Sequence, residues 1–266
     1  MSTITVNGLR LRIESSGAGE PVVFVHGSWS DLHSWDALVL PDTLRLIRYS
    51  RRGHSGSECP PGQGTIAEDV DDLAALIETV GTAHVVGNSL GAEIALRVAV
   101  ERPELVRSLA LHEPAFWTLA PDDPAVLALQ ARLAPAVERL EAGDVEAGTR
   151  RFADAILGPG AWDAGMPEAL KRVMLVNAAT FVDEERAPDN GTLDTTRLPT
   201  VPTLLTLGEE TDAALKVVTE RLAELLPHAD RVTIPGAGHV PHRTHPGVYA
   251  DILARFLTRA PARLRP

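Results

Sequence analysis

The pentapeptide Gly87-Asn88-Ser89-Leu90-Gly91 constrains this chain more than any other segment, because of what stands on either side of it. Before it, Ala83-His84-Val85-Val86 is an apolar, partly β-branched run long enough for a buried strand. After it, Ala92, Ile94, Ala95, Ala99 and Val100 mix with Glu93, Arg97 and Glu101 in a helical pattern that stops near Pro103. A serine pushed out on a strained strand-to-helix turn needs neighbours without Cβ, because the helix and the adjacent strand pass close by. Gly87 and Gly91 meet that need. The bare pattern G-x-S-x-G turns up by chance in roughly one of ten to fifteen chains of this length. Set between a strand and a helix, it reads as a nucleophile elbow with Ser89 at its tip.

The strand–helix rhythm extends in both directions. Ile4–Val6 and Leu9–Glu14 read as strands joined by Asn7-Gly8, a dipeptide that favours a tight hairpin. Pro21-Val22-Val23-Phe24-Val25 is continuously apolar, as a strand buried on both faces should be. A helix over His33–Val39, a strand over Leu44–Tyr49 and a Gly/Ser/Pro-rich loop over Arg51–Gly64 follow. Ile66–Val80 is an amphipathic helix, with Val70, Leu73, Leu76, Ile77 and Val80 on one side and Glu68, Asp69, Asp71 and Asp72 mostly on the other. A strand over Val106–His112 continues the alternation, the signature of a mostly parallel central sheet flanked by helices.

Between Glu113 and Pro199 the rhythm breaks. Helical patterns near Ala125–Glu141, Val145–Leu157 and Pro167–Asp183 occur there without a strand. Order resumes with a strand over Thr203–Leu207, a helix over Ala213–Leu226, a strand over Arg231–Ile234 and a final helix over Gly247–Thr258. The layout predicts an α/β core from residues 1–113 and 200–266, with residues 114–199 as a helical cap over the carboxyl edge of the sheet.

A chain of 266 residues can bury a core of that size. Its net charge of −11, with no basic stripe beyond Arg51-Arg52, argues against a nucleic-acid partner. The one cysteine, Cys59, cannot form an internal disulfide. No apolar run reaches the ~18 residues of a membrane span. Met1–Ile13 lacks the basic-then-apolar layout of a signal peptide. The expectation is a cytoplasmic monomer or homodimer acting on a small molecule, with no membrane partner. His239, His242 and His245 lie in a Gly/Pro-rich stretch that reads as a loop around one functional histidine, so no metal is expected.

Serine is a weak nucleophile until a base takes its proton, and that base needs a carboxylate to orient it. His239, at the end of Pro235-Gly236-Ala237-Gly238-His239, follows a strand and is the base of choice. Developing negative charge on a substrate oxygen needs two donors. The backbone N–H of Leu90 is one candidate, and that of Ser28, in His26-Gly27-Ser28-Trp29, is the other.

Five segments then carry a resemblance: V-F-V-H-G-S-W at 23–29, Y-S-R-R-G-H-S-G-S at 49–57, G-N-S-L-G at 87–91, P-T-L-L-T-L-G at 202–208 and P-G-A-G-H at 235–239. In this order and spacing, the chain resembles a capped member of the α/β-hydrolase superfamily over nearly its whole length. The resemblance implies a serine-dependent hydrolase without a cofactor. Many relatives read G-[ED]-x-D after the strand that here ends at Leu207, and the final Asp orients the histidine. This chain reads Gly208-Glu209-Glu210-Thr211-Asp212, so Thr211 occupies that slot. Three carboxylates could replace it: Asp212 after a one-residue shift, Glu210, or Glu113 at the end of the preceding strand, where certain haloalkane dehalogenases place theirs. Glu113 is preferred.

Trp29, Phe116 and Trp117 are the expected pocket residues, the first two because each closely follows a proposed catalytic position. The reaction expected is cleavage of an ester or lactone of a small to medium apolar molecule through an acyl-enzyme. The alternatives are a carbon–carbon bond hydrolase, a biosynthetic thioesterase or cyclase, and a non-catalytic ligand-binding receptor.

Overall fold

Asn7 and Gly8 both adopt positive φ, 49° and 76°, and turn strand β1 (Ser2–Val6) back into β2 (Leu9–Ser16). The computed structural model describes residues 2–259. Strands β3 (Glu20–Val25) and β4 (Leu44–Tyr49) follow, then helix α1 (Ile66–Val80), β5 (Ala83–Asn88), α2 (Leu90–Glu101) and β6 (Val106–His112). Helices α3 (Pro124–Glu141), α4 (Val145–Leu157) and α5 (Glu168–Arg186) come next without an intervening strand. The chain then returns through β7 (Thr203–Gly208), α6 (Ala213–Leu225), β8 (Asp230–Ile234), a short α7 (Pro241–Thr244) and α8 (Pro246–Leu257).

The strands make one sheet in the order β1-β2-β4-β3-β5-β6-β7-β8. The β1–β2 and β2–β4 pairs are antiparallel and every pair from β4 to β8 is parallel. Successive side chains of a strand face opposite ways, which splits the core in two. Val23 and Val25 join Leu73, Ile77 and Ile94 on one face, while Val22 and Phe24 join Tyr249, Leu253 and Phe256 on the other.

One expectation needs correction. The helix expected over His33–Val39 is only a 3-10 turn over Leu32–Trp35, capped by the Asp31 carboxylate, which accepts the His33 N–H at 2.9 Å. Leu32, Trp35 and Leu38 are buried and Val39 is exposed. The turn's hydrogen bonds run three residues back, Ser34 N–H to the Asp31 carbonyl at 3.0 Å and Asp36 N–H to the His33 carbonyl at 3.3 Å, which is the 3-10 repeat and not that of an α-helix.

On the acidic face of α1, Asp69 and Asp72 are buried, because Arg51 Nη1 reaches Asp69 Oδ2 at 2.9 Å and Arg52 Nε reaches Asp72 Oδ2 at 2.8 Å. The second terminal amine of Arg51 pairs with Glu184 on α5. One buried guanidinium therefore ties α5 to the sheet-flanking helix α1. Among the described residues, no helix is long and apolar enough to cross a membrane.

Candidate active site

Ser89 stands between β5 and α2 at φ 55° and ψ −125°, a conformation that few residues other than glycine adopt. The two flanking glycines leave space for it. A Cβ on Gly87 would lie 2.4 Å from the Gly91 carbonyl oxygen, and one on Gly91 would lie 2.2 Å from that of Val25. Both contacts are shorter than atoms tolerate, so the elbow admits no side chain at either position.

Trp29 (φ 61°) and Glu113 (φ 45°) are also held in left-handed conformations. With Ser89 they stand beyond the carboxyl ends of β3, β5 and β6, which are neighbours in the sheet. Such backbone cost persists only where surrounding contacts enforce it, and it gathers at functional sites.

Glu113 is fully buried one residue beyond β6. Its Oε2 lies 2.5 Å from His239 Nδ1 and accepts the Thr211 hydroxyl at 2.8 Å, while Oε1 accepts the Gly208 N–H at 2.7 Å. His112 Nε2 lies 3.3 Å from Oε1. Burial acts to raise this carboxyl, but the His112 and His239 imidazoles beside it prevail and hold it well below the usual carboxylate range. The result is an ionised carboxylate aimed at one nitrogen of His239. The other side of that loop is anchored by Asn88, whose Nδ2 donates to the His239 carbonyl at 3.1 Å.

The rival acids do not meet His239. Asp212 caps α6, accepting the Ala214 N–H at 2.9 Å, and pairs with Arg132. Glu210 is exposed. Neither is hydrogen-bonded to His239.

Ser28, Ser89, Leu90 and His239 line one cavity, as do Trp29 and Trp117. Leu90 opens α2, where backbone N–H groups have no intrahelical acceptor. His26 fixes the facing loop: Nε2 accepts the Arg51 N–H at 3.0 Å, so Nδ1 carries the proton and donates to the Gly27 carbonyl at 2.8 Å. Burial, helped by the Arg51 charge, pushes the His26 pKa well down and keeps the ring neutral in that tautomer. Helices α3, α4 and α5 supply an apolar wall that includes Leu133, Phe152, Ile156, Met174 and Phe181. Trp29 stacks on Phe152 with ring centroids 4.6 Å apart.

Phe116 is a correction to the expected pocket. It is fully buried in the core cluster and is not among the residues facing the cavity, whereas Ala115 and Trp117 on either side of it are. Phe116 immediately precedes a 3-10 turn that starts at Trp117, and its ring is packed into the core while its two neighbours line the cavity.

The histidines downstream of His239 go to separate partners. His242 Nε2 is 2.9 Å from the Ser34 hydroxyl and its ring packs on Trp35, while His245 bonds Thr244. His112, Glu113 and His239 do bring potential ligand atoms within 4.8 Å of one another. Both Glu113 oxygens already accept protein donors, so the trio reads as an oriented imidazole, not as an open metal position.

Residue patterns did not reveal the second partner of Glu113, the His26 tautomer or the Asn88 contact. Thr211 offered a signal in hindsight: a hydroxyl in a slot usually held by a carboxylate is a donor in search of one.

Comparison with known proteins agrees with this architecture. The model of the alpha/beta hydrolase family matches residues 22–252. A 2-(acetamidomethylene)succinate hydrolase of Mesorhizobium japonicum is 26% identical over 276 residues, spanning 96% of this chain and 94% of that protein. Among solved structures, an alpha/beta hydrolase from Sphaerobacter thermophilus aligns with a TM-score of 0.74 at 28% identity, covering 96% of this chain and 100% of the other. A thermophilic esterase from Thermogutta terrifontis aligns with a TM-score of 0.72 at 25% identity, covering 97% of each. On the family match, which takes in most of the sheet and the whole candidate site, this chain belongs to the alpha/beta hydrolase family.

Proposed function

We propose that this hydrolase is a serine enzyme that cleaves a carboxylic ester or lactone of a small to medium molecule through an acyl-enzyme. The observation that carries the reading is the 2.5 Å contact between buried Glu113 Oε2 and Nδ1 of His239, a residue that lines the same cavity as Ser89. A solved relative named as an esterase, similar over nearly the full chain, supports the ester as substrate.

In this reading Ser89 Oγ attacks the substrate carbonyl carbon and His239 Nε2 takes its proton. Glu113 stays ionised, holds the Nδ1–H tautomer and stabilises the imidazolium. The N–H groups of Leu90 and Ser28 receive the negative oxygen of the tetrahedral intermediate. The C–O bond to the leaving alkoxide then breaks as His239 returns the proton, giving the free alcohol. Water adds to the acyl-enzyme by the same route and releases the acid. Residues 114–199 serve as a cap, their helices supplying the apolar wall against which the substrate's hydrocarbon lies.

An ordered acid–imidazole pair is of no use to a passive receptor, which favours the enzyme over the binder. The test is hydrolysis of p-nitrophenyl esters by the purified protein and by Ser89→Ala. Saturable turnover that disappears in the variant is expected; turnover that survives it would rule the reading out.

A further inference from the structure

Arg243, on α7, is a charged group of the cavity that the mechanism leaves idle. It lines the same cavity as Ser89 and His239 and is partly buried. Its Nε reaches the Ser34 hydroxyl at 3.3 Å and its Nη2 the Ser30 hydroxyl at 3.4 Å, both long for hydrogen bonds. Among the described residues, no carboxylate oxygen lies within the 4.0 Å of an ion pair. The treatment of the other inward-facing arginines is different. Arg51 holds Asp69 and Glu184, and Arg52 holds Glu68 and Asp72.

A guanidinium out of bulk water and without a counter-ion is unfavourable, and burial accordingly draws the Arg243 pKa down against the more distant pull of Asp31 and Asp36. The acids that share the cavity do not relieve it: Glu184 is committed to Arg51, and neither it nor Glu185, whose carboxyl burial and the Glu184 charge push up to about 7, comes within ion-pair distance of Arg243. The adjacent His242 is buried, and its pKa is pushed well down by burial and then by Arg243, so it adds no charge at neutral pH. What remains is a planar fork of N–H donors on the cavity wall, the geometry that takes a carboxylate two bonds at a time.

We propose that Arg243 binds a carboxylate carried by the substrate, so that the preferred substrate is an anionic ester or lactone whose non-reacting carboxylate sits on the guanidinium while its carbonyl meets Ser89. The proposal rests on the serine-hydrolase reading above and narrows its substrate class. The apolar wall of Phe152, Ile156 and Met174 receives the hydrocarbon between the two polar ends. A chain of net charge −11 repels anions at long range, so a local cation is what lets one enter and stay.

Matched ester pairs test this. Glutaric acid mono-p-nitrophenyl ester against p-nitrophenyl pentanoate puts the charge on the acyl side, and acetoxyacetate against propyl acetate puts it on the alcohol side. In at least one pair, wild-type kcat/KM should favour the charged member by about tenfold or more, a preference that collapses in Arg243→Met and is partly kept in Arg243→Lys. Preference for the neutral member in both pairs, or an equal loss on both members in Arg243→Met, overturns the proposal. A readout without turnover separates it from the serine reading. Glutarate should raise the Tm of Ser89→Ala more than pentanoate does, and Arg243→Met in that background should remove the difference. If Ser89→Ala still turns over esters while glutarate shows this Arg243-dependent shift, the serine mechanism falls and the anion site stands.

Discussion

The Thr211 hydroxyl donates to Glu113 Oε2 at 2.8 Å, and that same oxygen faces His239 Nδ1 at 2.5 Å. Thr211 lies three residues beyond the end of β7 and Glu113 one residue beyond the end of β6, two strands paired in parallel. Two neighbouring strand ends thus meet at one carboxylate: the segment after β6 carries it, and the segment after β7 supplies a hydrogen-bond donor to it. Removing the charge at Glu113 should therefore cost what removal of a triad acid costs. Glu113→Gln is expected to lower kcat by about 10⁴-fold, and adding Thr211→Asp to that variant to recover at least about tenfold. Steady-state kinetics on one ester decide it. A Glu113→Gln enzyme of near wild-type rate would show that another group orients His239.

Thr211→Val removes the donor without changing the volume of the site much. A hydrogen bond to a charged acceptor contributes about 1.5–3 kcal/mol. The carboxylate it leaves less well held should orient the imidazole less well, so kcat is expected to fall by about tenfold, with KM little changed. A fall in KM affinity alone would assign Thr211 to substrate binding instead.

Glu113 also sets a pH dependence of stability. Its carboxyl titrates well below the unfolded value of 4.5, so the folded chain binds this proton less readily than the unfolded chain does. The stabilisation is thus fully present above pH 4.5 and is lost as the pH falls through the lowered folded value. The difference in Tm between wild type and Glu113→Gln should be constant near neutral pH and narrow progressively in acid. A difference that widens in acid would mean the carboxyl is raised, not lowered.

At the elbow, activity and stability should separate. Ser89 is held at φ 55°, which costs any residue with a Cβ energy that glycine does not pay. Ser89→Gly is expected to be more stable than Ser89→Ala by about 1–2 kcal/mol, both being inactive. Urea denaturation of the two proteins measures the difference, and equal midpoints would show the turn to be unstrained.

The Arg51 guanidinium joins α1 to α5 through Asp69 and Glu184 while buried to 1% exposure. Arg51→Met strands two carboxylates away from water and should destabilise the protein by about 3–5 kcal/mol. Thermal unfolding checks this. A loss below about 1 kcal/mol would mean that the pair contributes no more than a surface contact.

What sequence reveals here follows how local each interaction is. Ser89 was legible because its turn, its glycines and its flanking strand and helix all fall within a few residues of one another. Sheet strands were legible because burial on both faces leaves an unbroken apolar run, as in Pro21–Val25. Glu113 could only be preferred over Asp212 and Glu210, since the choice depends on which strand ends lie side by side. The burial of Asp69 and Asp72 is not legible on the polar side of the helical pattern, because periodicity counts charges and not their partners, and the arginines that pair with them come from a preceding loop. Phe116 shows the limit from the other side: adjacency to a catalytic position does not fix which way a ring points.

The parallel pairing of β6 with β7, with His112 opposite Thr206 and the Glu113 N–H donating to the Thr206 carbonyl at 3.3 Å, has a consequence. Two neighbouring strand ends can deliver a carboxylate to the same imidazole. The acid and its hydrogen-bond donor could thus exchange strand ends, a carboxylate at position 211 and a donor at position 113, without displacing the imidazole that faces them.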